Sequence, residues 1–415
     1  MKRDRGSFNI TGHFAIKEQL LNWVNQYSSC SFLDSHQYEC SHKSEECIAA
    51  AGSLQSFTGS GALTAIDSFY NNNPDWLFGH LCYDDQNNPI GFNPVHFFQP
   101  ETVLRLSGNE LVIETVHSAQ SVFQEILKTT ALKEHPSIAV PVLPRISKKE
   151  YIEIITQLLK HIQRGDCYEI NFCQEFFSEN APINPLRLYQ ELSKISPNPF
   201  SAHYKQAESH LLCASPERFL QRKANQLISQ PIKGTCKRDI ADSGSDALLK
   251  KKLRESSKER SENVMVVDLV RNDLSKICKE GSVVVEELFG IYTFPQVHQM
   301  ISTITGTLKE NTPFSEIIHA TFPMGSMTGA PKKRVMDLIS QYEISPRGLF
   351  SGAVGYISPQ QEFDFNVVIR SLLYNSSTQY LSYMAGSGIT FYSNPEDEYE
   401  ECLLKVKAIE TLLSH

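Results

Sequence analysis

Apolar and polar positions along this chain follow two different periods. In the first third, short apolar runs are separated by turn signals, as at Asn71-Asn72-Asn73-Pro74-Asp75 and Asp84-Asp85-Gln86-Asn87-Asn88-Pro89. The runs Leu77-Phe78-Gly79-His80-Leu81 and Thr102-Val103-Leu104-Arg105-Leu106 predict strands. Val140-Pro141-Val142-Leu143-Pro144 predicts a link between segments. Ser147-Lys148-Lys149-Glu150 predicts a helix start, because the serine oxygen accepts a free backbone N–H and glutamate three residues later reaches back. Tyr151, Ile154, Ile155, Leu158 and Leu159 continue at helical spacing toward Arg164-Gly165. Beyond Gly165, β-branched and aromatic runs alternate with amphipathic stretches too irregularly for a βαβ series. The pattern predicts a mixed sheet with outer helices, without short repeats or low-complexity tracts.

Composition narrows the class. The chain has 415 residues, 41% hydrophobic and 21% charged, enough for one large core or two smaller ones. Thirty-nine basic residues against 47 acidic leave a formal charge of −8, and no basic run appears, which argues against a nucleic-acid partner. Met1-Lys2-Arg3-Asp4-Arg5-Gly6 leads into mixed polar sequence rather than an apolar signal core. No stretch has the length and apolarity of a membrane span. Ten cysteines are scattered without framework spacing or a Cys-x-x-Cys pair, many in apolar runs, as at Cys167, Cys173 and Cys213. They predict reduced core residues of a cytoplasmic protein.

Candidate chemistry centres on Gln230-Pro231-Ile232-Lys233-Gly234-Thr235. Proline stiffens the approach to Lys233, and Gly234 lets the main chain come close to a ligand. A free lysine titrates near about 10.4, so a nucleophilic role is expected to need a pKa lowered by about three units, roughly 4 kcal/mol of differential stabilisation. The alternative is a turn lysine paired with a surface carboxylate. Ser215-Pro216-Glu217-Arg218-Phe219 follows an apolar run, and Glu217 at such a strand end can serve as a general acid if burial raises its pKa. It can equally form a Glu217–Arg218 turn without chemistry.

Glu259 and Glu262 lie three apart, as do Glu398 and Glu401, with Lys405 four residues further. Each pair shares a helix face, and two such pairs could converge on a hard cation such as Mg²⁺ or could be solvated faces. Gly386-Ser387-Gly388 predicts a turn whose amides can cradle a carboxylate, with Arg370 as a bidentate clamp. The small-residue segment from Phe322 to Lys332 predicts a turn entering a helix, another potential anion seat. No P-loop or Rossmann fingerprint is present.

In this order, these segments resemble the chorismate-utilising enzymes, from residue 147 to 415. Gly165-Asp166-Cys167-Tyr168-Glu169-Ile170-Asn171, the Glu217 and Lys233 segments and Asp268-Leu269-Val270-Arg271-Asn272-Asp273-Leu274 carry the resemblance. So do the Phe322–Lys332 segment, Ser351-Gly352-Ala353-Val354-Gly355-Tyr356, and the Gly386 and Glu398 segments. Residues 1–146 match poorly and are expected to form a divergent N-terminal region of the same α/β unit. Residues 147–415 are expected to be the chorismate-binding catalytic region. The implied fold is α/β (α+β type), with two facing, largely antiparallel sheets, outer helices and a site in the cleft between them.

Two positions separate reactions within that family. Anthranilate-forming members carry alanine where Lys233 stands, whereas members that make aminodeoxychorismate carry lysine. Water-using isochorismate and salicylate synthases carry a lysine base where Glu169 stands, and amine-using members often carry glutamine there. The resemblance therefore implies amination of chorismate to 4-amino-4-deoxychorismate, for p-aminobenzoate and folate synthesis. Lys233 would attack C2 as Glu217 protonates the departing C4 hydroxyl, and ammonia would then add at C4. It implies Mg²⁺ held by Glu262 and Glu401, with Glu259 and Glu398 supporting through water. Arg370 and the Gly386, Ser387 and Gly388 amides would hold the enolpyruvyl carboxylate, with Lys405 nearby. His298 would lie near the leaving hydroxyl or be a hydrogen-bonded structural residue, and Thr235 would contact the substrate. No second domain with a cysteine nucleophile is seen, so ammonia is expected from a separate glutaminase subunit. Rival readings are anthranilate synthesis and a catalytically silent chorismate-binding regulatory subunit.

Overall fold

The computed structural model describes all residues except 1, 11, 37, 39–44, 131–138, 295–296 and 415. Its frame is a pair of sheets. In the twelve-stranded sheet the order is Asp4–Asn9, Glu110–Thr115, Thr102–Ser107, Cys47–Ala51, Ser29–Asp34, Phe200–Gln206, Ser209–Ser215, Ser371–Asn375, Tyr380–Thr390, Glu169–Ser178 and Gly329–Ala330. Leu143–Pro144, inside the expected link, also pairs with Glu169–Ser178. The ten-stranded sheet runs Ile232–Lys237, Val297–Thr307, Gln226–Gln230, Arg218–Lys223, Phe363–Asn366, Ala353–Ile357, Leu77–Leu81, Val95–Gln99 and Gln55–Thr58, with Val284–Thr293 also on Val297–Thr307.

Every pairing among the described strands is antiparallel, which corrects the mixed sheet expected from the sequence pattern. Antiparallel neighbours can be joined by tight turns, so the helices between strands need not be crossovers. Thr102–Ser107 and Glu110–Thr115, for example, are joined through Gly108 and Asn109, with Gly108 at a φ of 55°.

The twelve-stranded sheet is covered on both faces, and its side chains alternate between two cores. Ala49, Ala51, Leu212 and Ala214 join a cluster under the helices Lys148–Gln163, Pro185–Ile195 and Pro395–Leu413. Their neighbours Ile48, Ala50, Leu211 and Cys213 join a second cluster shared with the other sheet. That period of two is the strand geometry itself. The nine described cysteines are free and all but Cys236 are buried. Among the described residues, no helix is long and apolar enough to cross a membrane.

Strands from the first 115 residues enter both sheets. Ser29–Asp34 pairs with Phe200–Gln206, and Leu77–Leu81 pairs with Ala353–Ile357.

Candidate active site

The chain passes from one sheet to the other at several places, and a candidate residue stands at two of them. Ser209–Ser215 belongs to the twelve-stranded sheet and Arg218–Lys223 to the ten-stranded one, so Pro216 and Glu217 form a crossover. Phe363–Asn366 and Ser371–Asn375 are divided the same way, and Arg370 ends that crossover at a φ of 50°. The two crossovers are tied together: Val367 N–H donates to the Glu217 carbonyl (3.0 Å) and Ala214 N–H to the Arg370 carbonyl (3.2 Å).

Burial decides the chemistry of both side chains. Glu217 is 4% exposed, and desolvation lifts its pKa to about 7, although the Ser326 hydroxyl and the Lys233 charge oppose the rise. Such a carboxyl is a proton donor near neutrality. Burial lowers the Arg370 pKa to about 10, with Glu217 pulling the other way. Its guanidinium makes no hydrogen bond or ion pair among the described residues. A largely desolvated, unpaired cation of this kind is a seat for an anion.

Lys233 lies on Ile232–Lys237, and its Nζ donates to Glu169 Oε1 at 2.5 Å. Glu169 begins Glu169–Ser178 in the facing sheet, so this pair spans the cleft. Burial alone would lower the Lys233 pKa, but Glu169, Glu262 and Glu217 outweigh it and hold the pKa above its ordinary value. The expected depression is therefore corrected: three surrounding carboxylates keep the resting amine protonated. Gly234, at a φ of 95°, brings the backbone against Glu259, where an added Cβ would lie 3.0 Å from Oε2.

The acidic pairs sit in the opening turns of two helices. Ser256 caps Ser257–Ile277 by accepting from Glu259 N–H, and Asn394 caps Pro395–Leu413. Their N-terminal ends favour negative charge. Glu262 and Glu398 are buried, and one oxygen of each, Oε1 and Oε2 respectively, has no hydrogen-bond partner. Desolvation raises the Glu262 pKa to about 7 and raises that of Glu259 as well. Glu401 is instead lowered, because Lys405 at 2.8 Å and more distant lysines outweigh burial. Among the described residues no three acidic, histidine or cysteine side chains are gathered as a ready-made metal site. The orphaned oxygens nevertheless fit a hard cation.

Gly386, Ser387 and Gly388 are not a turn but the middle of Tyr380–Thr390, paired with Cys173, Phe172 and Asn171. The Gly386 carbonyl accepts from Lys405 Nζ at 2.9 Å, so Gly386 turns its polar backbone away from the Glu169–Ser178 strand. Gly388, two residues on, does the same, and Ser387 turns toward that strand. A Cβ on Gly388 would lie 2.9 Å from both Lys233 Nζ and Glu169 Oε1. Ser387 therefore offers the cleft neither its amide nor its buried hydroxyl, which is a correction to its expected place.

Three other expectations fare differently. Both His298 ring nitrogens are engaged, with Thr293 Oγ1 and Asp246 Oδ1 at 3.0 Å each, which is the structural alternative. Thr235 is exposed and pairs with Gln299 in the sheet. The Phe322–Lys332 segment folds as a 3₁₀ turn Gly325–Met327, a short strand Gly329–Ala330 and the start of Lys332–Tyr342. Lys332 is committed to Asp273, so its charge is not open to an anion. Sequence reasoning overlooked Ser326, which faces Glu217, and Lys258, which lies 4.0 Å from Glu262 Oε1 and 3.8 Å from Glu398 Oε1. Only the flanking Glu259 and Glu262 pointed to Lys258.

Residues 21–411 match the family model for chorismate binding enzymes. The chain is similar to a probable chloroplastic aminodeoxychorismate synthase of Oryza sativa subsp. japonica, 40% identical over 265 residues, which cover 63% of this chain and 29% of that protein. It is 38% identical over 264 residues to aminodeoxychorismate synthase component 1 of Klebsiella aerogenes, covering 64% and 58% of the two chains. The matched stretch thus spans less than two thirds of either relative. Anthranilate synthase component I from Streptococcus pneumoniae TIGR4 has a similar fold, with a TM-score of 0.77, 23% identity and coverage of 90% and 94%.

Proposed function

The chain belongs to the chorismate binding enzyme family, and from that premise we propose that it converts chorismate and ammonia to 4-amino-4-deoxychorismate. The observation that carries this reading is Lys233, which reaches across the cleft to Glu169 while burial lifts the Glu217 pKa to about 7, so that it can donate a proton near neutrality. The relatives named aminodeoxychorismate synthase support it.

In this reading Lys233 first gives a proton to Glu169, the carboxylate at hydrogen-bond distance from it. The freed amine forms a bond to C2 while the C4–O bond breaks, and Glu217 supplies the proton with which that oxygen leaves as water. Ammonia then bonds to C4 as the Nζ–C2 bond breaks, and its surplus proton returns to Glu217. Lys233 recovers its own proton from Glu169, so both residues are restored. Arg370 and the Gly386 and Gly388 amides would receive the enolpyruvyl carboxylate. Glu262 and Glu401, with Glu259 and Glu398 in support through water, would hold a Mg²⁺ ion, which when bound would neutralise the ring carboxylate. A separate glutaminase subunit would supply the ammonia, in the cytoplasm, and the product would feed p-aminobenzoate and folate synthesis.

Incubation of the protein with chorismate, Mg²⁺ and ammonium, with products identified by mass spectrometry, tests the proposal. The expected product retains its enolpyruvyl group, and Lys233→Ala is expected to lose it or shift toward anthranilate. Anthranilate and pyruvate from the unaltered protein would overturn the reading in favour of anthranilate synthesis. Turnover of glutamine only after a glutaminase is added is the expected sign of the partner.

A further inference from the structure

Lys258 is placed against the local preferences of its own helix. It is the second residue of Ser257–Ile277, where the positive end of the helix dipole opposes a cation. Its helical partner Glu262 follows it by four residues, the less favourable order for such a pair. The reason for its position lies across the gap, on Pro395–Leu413. Lys258 Nζ is 3.8 Å from Glu398 Oε1 and 4.0 Å from Glu262 Oε1, bridging the two acidic helix ends.

The bridge is incomplete. Both distances exceed hydrogen-bond length, and Glu398, with its side chain only 3% exposed, leaves Oε2 without any donor. Glu262 leaves Oε1 without one as well. A single ammonium on a flexible stem thus offsets the repulsion between two buried carboxylates without hydrogen-bonding either. The Lys258 side chain is 46% exposed, so it has a path to water. Two further cations beside the cluster are committed elsewhere: Lys405 to Glu401 Oε1 at 2.8 Å and the Gly386 carbonyl at 2.9 Å, and Lys233 to Glu169 Oε1.

We propose that Lys258 is a tethered counter-ion, seated between Glu262 and Glu398 in the metal-free protein and expelled to solvent when a divalent cation binds. It then sets the metal affinity, because the ion must compete with a charge already in place. The inference rests on the acidic cluster being a cation site, as in the proposed function, and not on which product is formed.

The test measures Mg²⁺ binding by calorimetry, without substrate, to the metal-stripped protein and to Lys258→Met and Lys258→Arg variants. Lys258→Met is expected to bind Mg²⁺ about tenfold more tightly, as when a competing occupied state is removed. Lys258→Arg, which keeps the charge, is expected to stay within about twofold of the unaltered protein. Thermal unfolding in chelator is expected to show Lys258→Met melting lower, with the difference closing at saturating Mg²⁺. Equal or weaker Mg²⁺ binding by Lys258→Met would overturn the proposal, as would no binding by any of the three proteins. Anthranilate as product alongside the expected binding would sink the proposed function and leave this inference standing.

Discussion

Glu217 and Lys233 share a buried setting in which Glu217 titrates around neutrality and Lys233 keeps its proton, each raised for a different reason. Around Glu217 desolvation dominates, whereas around Lys233 three carboxylates overcome it. The resting site therefore holds a ready acid and an unready nucleophile, and the 2.5 Å contact with Glu169 gives the lysine proton somewhere to go. The raised Glu217 pKa also has a sign for stability. The folded group titrates near 7 against an ordinary 4.5, so its contribution is fully present below the ordinary value and is lost as pH rises through 7. Glu217→Gln is expected to lower turnover by at least about a hundredfold. The same variant is expected to be more stable than the unaltered protein at pH 8, by up to roughly 3 kcal/mol, and to match it at pH 4. Denaturant unfolding at the two pH values checks this; a variant no more stable at pH 8 would refute the desolvation account.

Among elements, local signals were legible and pairings were not. The Ser147 capping box and the spacing from Tyr151 to Leu159 anticipated Lys148–Gln163, whose capping box is present. The acidic pairs were placed on helices, and both are. Gly386-Ser387-Gly388 misled because two glycines carry a turn signal, whereas here they admit close backbone neighbours within a strand. A Cβ on Gly386 would lie 2.0 Å from the Phe172 carbonyl oxygen. Its neighbour Gly388 meets side-chain ends instead, Lys233 Nζ and Glu169 Oε1. Gly388→Ala is accordingly expected to fold but to displace that pair, cutting kcat/KM by about tenfold or more while leaving the melting temperature within a few degrees. An unchanged kcat/KM would show that the close approach is not used. Lys258 and Ser326 were missed because their meaning lies in partners distant along the chain, as does the antiparallel order of the sheets.

For the whole molecule, the sheet order removes any simple division at residue 146. Ser29–Asp34 and Leu77–Leu81 are paired to strands from the later region, one in each sheet. A fragment comprising residues 147–415 would expose those edges and the apolar faces beside them. It is expected to lack cooperative thermal unfolding and to be cleaved rapidly by protease; a stable, cooperative fragment would refute this. The position of Tyr380–Thr390 carries a further consequence for vectorial synthesis. That strand is made near the end of the described chain but lies between Glu169–Ser178 and Ser371–Asn375. A nascent chain halted before it would hold Lys233 and Glu217 but neither the strand that joins Glu169–Ser178 to the rest of the larger sheet nor the helix bearing Glu398. Translation must thus pass the helix bearing Glu398 before this cleft can close, which leaves the earlier strands without those partners in the meantime.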